Sequence, residues 1–190
     1  MKSPFDLPDL AVVFDELRKG RHICVEDGDL YRSLLMEYES FRELFHYLGF
    51  TLVRHPRDFF YFRSDLGFTT VARRMAVFMF ILIEHLANEG RSVEEALTSG
   101  YIAIDTLPHE TSKRFRRYMD EAGITVEKSI NTLTRHGFAE YSGGSKFRFR
   151  SPVYRFIDLC LTVMRDGDPG DEVNDTELVS ALGQEEDMDD

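Results

Sequence analysis

Apolar positions along this chain recur with two periods, and the two periods alternate twice. From residue 10 the spacing is helical: Leu10, Val13, Phe14 and Leu17 share one face, and Gly20 closes the segment. Asp6-Leu7-Pro8, an acid followed by an early proline, marks where that helix starts. Arg21-His22-Ile23-Cys24-Val25 reads as a short strand. A second helix is predicted over about residues 29–48. Its inner face is Tyr31, Leu34, Leu35, Tyr38, Phe41, Phe45 and Leu48, and Gly49 ends it. Residues 50–54 and Phe59–Arg63 then form a hairpin around His55-Pro56-Arg57-Asp58.

The same order returns. A helix over Thr70–Asn88 buries Val71, Met75, Phe78, Met79, Leu82, Ile83 and Leu86. Ser92-Val93-Glu94-Glu95 is a capping-box pattern that opens a short helix, and residues 101–107 are strand-like. A helix over residues 112–122 places Phe115, Tyr118, Met119 and Ala122 inside. Thr125 caps another, with Val126, Ile130 and Leu133 inside and Gly137 after its end. Residues 138–141 and 146–150 pair across Ser142-Gly143-Gly144-Ser145. Ser151-Pro152 opens a last helix, burying Val153, Phe156, Ile157, Cys160, Leu161 and Met164. The fold class expected is mainly α with small β hairpins (α+β), as tandem winged-helix domains. Residues 1–68 are the N-terminal winged-helix domain and 69–165 the C-terminal one; 166–190 is an acidic disordered tail.

Charge sharpens that division. The net charge of −11 comes from the tail, where residues 166–190 hold eleven acids and no Lys or Arg. Residues 1–110 hold 12 bases and 18 acids, whereas residues 111–155 hold 10 bases and 4 acids. The second region is therefore a candidate anion-facing surface. Lys146, Arg148 and Arg150 alternate along one strand and should project from one face, with Phe147 and Phe149 turned inward. Phe59-Phe60-Tyr61-Phe62, by contrast, puts aromatic rings on both faces of its strand. The outer face should be covered by a partner or by the second domain.

Catalytic patterns are missing. His22, His46, His55, His85, His109 and His136 form no HExxH or paired i, i+4 set. Ser142-Gly143-Gly144-Ser145 joins two strands, unlike a phosphate loop, and no GxSxG or GxGxxG occurs. No enzyme, cofactor or metal site is expected. Cys24 and Cys160 read as free, buried thiols of a reducing compartment. The first ten residues lack a signal-type apolar stretch, and the longest apolar run, Met75 to Ile83, is nine residues. The expectation is a cytoplasmic protein without membrane contact.

Several segments resemble the MksE/MukE family. They are Leu17-Arg18-Lys19-Gly20-Arg21-His22-Ile23, the helix over residues 35–47, and the first hairpin from Leu52 to Arg63, with its Arg54-His55-Pro56-Arg57-Asp58-Phe59-Phe60-Tyr61-Phe62 core. The likeness returns at Ser145-Lys146-Phe147-Arg148-Phe149 and Val153-Tyr154-Arg155-Phe156. It spans about residues 8–165 and is loose over 88–122. The resemblance implies a kleisin-binding tandem winged-helix subunit of a bacterial SMC condensin of the MksBEF/MukBEF type. Such a subunit forms a homodimer, holds a kleisin (MksF-like) and reaches an SMC-like ATPase (MksB-like) through it. The implied role is chromosome condensation and segregation, or plasmid defence in a sister branch. Leu17, Arg21, Ile23, Phe59, Phe60, Tyr61 and Phe62 are then candidates for kleisin or dimer contact. Lys113, Arg114, Arg116, Arg117, Lys146, Arg148 and Arg150 are candidates for contact with DNA, without sequence preference, or with an acidic partner surface. The alternative is a free-standing winged-helix transcription regulator, suggested by the basic second hairpin.

Overall fold

The computed structural model describes residues 6–63 and 69–158. The chain is mainly helical, with two small antiparallel sheets of three strands each. The first half runs α1 (Leu10–Arg18), β1 (Ile23–Cys24), α2 (Asp29–Met36), α3 (Tyr38–Tyr47), β2 (Thr51–His55) and β3 (Phe59–Arg63). The second half runs α4 (Thr70–Asn88), α5 (Val93–Thr98), β4 (Ile102–Ala103), α6 (Lys113–Glu121), α7 (Val126–Arg135), β5 (Ala139–Tyr141) and β6 (Lys146–Phe149). A 3-10 turn over Ser151–Val153 leads into a helical run at residues 154–158.

The two sheets share one topology. The order is β1-β3-β2 in the first and β4-β6-β5 in the second. In each, a two-residue strand pairs with the last strand of the hairpin: Ile23 lies opposite Phe60, and Ile102 opposite Phe147. The hairpin turns differ in chemistry. In the second, the Ser142 N–H donates to the Lys146 carbonyl and closes a three-residue loop in which Gly143 and Gly144 both hold positive φ, 57° and 65°. In the first turn Asp58 takes φ 57°, a conformation that Asp tolerates better than most side chains.

Each sheet closes over its own apolar cluster. Val13, Leu17, Ile23, Leu34, Phe41, Phe45, Leu52 and Phe60 make the first. Phe78, Met79, Ile81, Leu82, Leu97, Ile130, Leu133 and Phe147 belong to the second, with α4 running against α6 and α7. Caps follow the sequence: the side chains of Thr69, Ser92, Ser112 and Thr125 each accept a backbone N–H in the first turn of a helix.

Four details differ from the sequence expectation. The helix over residues 29–48 is two helices, broken at Glu37, where φ is −118°. The break costs one residue and keeps the apolar phase, so the spacing reads as continuous. It leaves Leu35 and Leu48 exposed rather than inward. The first helix starts from Asp9, not Asp6. Asp9 adopts φ 55° and accepts a hydrogen bond from Ser33 Oγ at 2.8 Å instead of capping its own helix. The strand expected over residues 101–107 shrinks to Ile102–Ala103 and gives way to a 3-10 turn, Ile104–Thr106. Val71 is exposed, and Ile81 takes the buried place on α4. The acidic tail and Cys160, Leu161 and Met164 lie outside the described residues; Cys24 is buried, and burial pushes its thiol well above the ordinary range.

Candidate functional site

The aromatic face of the first hairpin meets the second half of the same chain. Phe59 is fully buried, and His22 stacks between Tyr61, 5.3 Å away, and Phe138, 4.4 Å away. The His22 backbone N–H donates to the His136 carbonyl at 2.9 Å, and His22 Nδ1 donates to the same oxygen at 3.2 Å. Arg155 Nη1 donates to His22 Nε2 at 2.6 Å while its guanidinium lies 4.2 Å from the Tyr61 ring centre. These partners fix a neutral ring with its proton on Nδ1. Burial, with the Arg155 charge beside it, pushes the His22 pKa down to about 3. Gly137 lies against this segment. A Cβ there would run into the His22 carbonyl, and φ is +79°.

Ion pairs complete the junction. Arg150 is 5% exposed and pairs with Asp27 at 2.6 Å, a carboxylate that also holds Arg21 at 2.8 Å. The cost of burying Asp27 opposes ionisation, but the Cys24 N–H and the Arg150 and Arg21 guanidinium groups outweigh it, and the pKa falls below the ordinary value. Arg57 pairs with Glu94 at 3.3 Å and lies over Tyr154, and His55 meets Asp158 at 3.2 Å.

This placement corrects several sequence expectations. Leu17, Ile23 and Phe60 sit in the first core, and Phe62 packs against it. Phe59, Tyr61 and Arg21 serve the junction within the chain. Leu17, Ile23, Phe59 and Phe60 are buried within the chain, whereas Arg21, Tyr61 and Phe62 keep part of their surface exposed. Arg150 does not join Lys146 and Arg148 on an open face; the first half supplies Asp27 and buries it. The signal available beforehand was the acid at Asp27, which nothing in the strand alternation could connect to residue 150.

The remaining basic candidates are exposed or half-exposed, but most are already matched. Arg148 donates to Glu140 at 2.6 Å, which raises its pKa. Arg114 pairs with Glu84 at 2.8 Å and donates to the Tyr118 hydroxyl. Arg117 meets Glu121 at 3.5 Å, and Arg116 donates to the Glu110 carbonyl at 2.9 Å. Lys113 and Lys146 are exposed.

Chemistry-bearing clusters are scarce. Among the described residues, no group of three or more His, Cys, Asp or Glu side chains is placed to hold a metal ion. No described helix is long and apolar enough to cross a membrane. His109 is fully buried, donates through Nε2 to the Phe78 carbonyl at 2.9 Å, and is pushed down to about 4 by desolvation. It stacks on Phe78 at 3.9 Å, as a core residue would.

Residues 8–161 match the family described as condensin complex protein MksE. The chain belongs to the MksE family. Its relatives include the chromosome partition protein MukE of Escherichia coli K12, 28% identical over 162 residues, covering 74% of this chain and 68% of that protein. MukE of Shigella flexneri is also 28% identical over 162 residues, covering 74% of this chain and 70% of its own length. MukE of Yersinia pestis is 25% identical over 182 residues, covering 80% of this chain and 78% of its length. The matched span of this MksE-family chain runs through both sheets and the junction between them.

Proposed function

We propose that this chain is a non-catalytic subunit of a bacterial SMC-like condensin. In this reading it dimerises, binds a kleisin, and assists DNA engagement in chromosome partition or plasmid defence. The single observation that carries the reading is the family match over residues 8–161, which takes in both copies of the repeated helix-and-hairpin order. Each copy is a winged-helix domain, residues 1–68 and 69–165. The ATPase chemistry belongs to a partner reached through the kleisin.

Because the first hairpin is used within the chain, the surfaces left for protein partners lie elsewhere. Met36, Tyr47 and Leu48, 82%, 78% and 54% exposed near the ends of α2 and α3, are among the apolar side chains available for such contact. Co-expression with a kleisin from the same genome tests the assignment. A stoichiometric complex surviving mild salt is the expected result; failure to co-purify would overturn it. DNA engagement of this kind is sequence-blind and steeply salt-dependent. Tight binding to one operator and not to an unrelated duplex would instead favour a free-standing transcription regulator.

A further inference from the structure

We infer that the cleft between α4 and α7 is the seat of a nucleic-acid phosphate backbone. The inference rests on the DNA engagement proposed above and moves it away from the second hairpin. The cleft has a volume of about 300 Å³ and is lined by Arg74 from α4 and by Lys128, Ser129, Asn131, Thr132 and Arg135 from α7. Among the described residues no carboxylate lines it.

Pairing distinguishes this cleft from the four paired arginines of the basic region. Arg114, Arg117, Arg148 and Arg150 each hold a carboxylate. Among the described residues, Arg74, Lys128 and Arg135 hold none. Arg74 donates through Nε to the Ala122 carbonyl at 3.2 Å, which pins its guanidinium at the end of α6. Lys128 and Arg135 are seven residues apart, two turns along one face of α7. Three unmatched cations around one concavity make a field that a polyanion lowers most.

Neutral groups in the cleft point the same way. The Ser129 hydroxyl is buried, its residue 5% exposed, and has no hydrogen-bond partner. Such a group costs free energy unless something accepts from it. Asn131 Oδ1 accepts from the Tyr141 hydroxyl at 2.9 Å, which leaves its amide nitrogen as a donor. Lys, Arg, Ser, Thr and Asn are the side chains that contact phosphate oxygens.

The test uses the full chain and two unrelated fluorescent DNA duplexes, titrated from about 50 to 200 mM salt. Arg74→Glu/Lys128→Glu/Arg135→Glu is expected to weaken both duplexes at least about tenfold and to flatten the log–log salt slope by roughly three. Lys128→Gln/Arg135→Gln, which spares the Arg74 bond to α6, is the variant that guards against misfolding; it should show the same direction with an unchanged denaturation midpoint. Lys113→Glu/Lys146→Glu should cost less than the cleft variants. Wild-type DNA binding that survives both cleft variants overturns the cleft and leaves the DNA reading standing. No wild-type binding at low salt overturns both. A synthetic peptide of residues 166–190 that binds the cleft more tightly than either duplex overturns the inference in favour of an acidic polypeptide.

Discussion

The two hairpins are built to one plan and used in opposite ways. Pairing with the short strand places Phe60 opposite Ile23 and Phe147 opposite Ile102. In this register Phe59, Tyr61 and Arg63 correspond to Lys146, Arg148 and Arg150. The inner faces match, Phe60 and Phe62 against Phe147 and Phe149. The outer faces match only at their last position, Arg63 and Arg150; before it stand the aromatic Phe59 and Tyr61 in the first and the cationic Lys146 and Arg148 in the second. The first outer face is covered by the second half of the chain, through His22, Phe138 and Arg155. The second remains open at Lys146 and closes at Arg150. Strand alternation thus says which side chains share a face, while the company that face keeps is decided by the rest of the chain.

The strongest way to break this comparison is to spoil both hairpins' common inner face. Phe60→Ala and Phe147→Ala each remove a fully buried ring and should cost about 3–5 kcal/mol, read from urea denaturation. Equal losses mean that the inner faces are equivalent; a loss below about 1 kcal/mol in either would end the equivalence. Next comes the junction. Arg150→Ala strands the Asp27 carboxylate, 7% exposed, and should cost about 3 kcal/mol, softened by Arg21. Arg148→Ala removes a half-exposed pair two residues earlier and should cost under about 1 kcal/mol. Similar values for these two substitutions would erase the distinction drawn between closed and open ends of β6.

Acid is a gentler probe of the same contrast. His22 and His109 hold folded pKa values of about 3 and about 4, below the ordinary 6.5. Below that ordinary value the unfolded chain takes up protons that the folded chain refuses. Stability is therefore full above pH 6.5 and is lost as pH falls toward 4, by about 1.4 kcal/mol per pH unit for each histidine. The depressed Asp27 adds a loss of the same sign at lower pH. His22→Gln should roughly halve the slope between pH 6 and 5; an unaltered slope would mean that the junction histidine is not held neutral. Gly144→Ala in the second turn is another small effect, since a Cβ there would meet nothing. Only its left-handed φ of 65° resists the change, at about 1 kcal/mol.

Much of this architecture was legible beforehand. Both hairpins, the capping residues Ser92 and Thr125, and the repeated order followed from spacing and turn chemistry. The break at Glu37 was hidden because the apolar phase continues across it. The segments Leu17 to Ile23 and Phe59 to Phe62, singled out in the sequence, also hold the chain together through the first core and the junction. Arg74 escaped notice because it lies in the more acidic half and joins Lys128 and Arg135 only when α4 folds back on α7.

The backbone bond from His22 to the His136 carbonyl has a mechanical consequence. It clips the two lobes together through main chain, where no substitution can lengthen the tether, and Gly137 lets the two backbone segments come that close. A load applied to one lobe is therefore passed to the other as through a stiff bracket, so a partner gripping α2 and α3 would also steer the far end of the molecule.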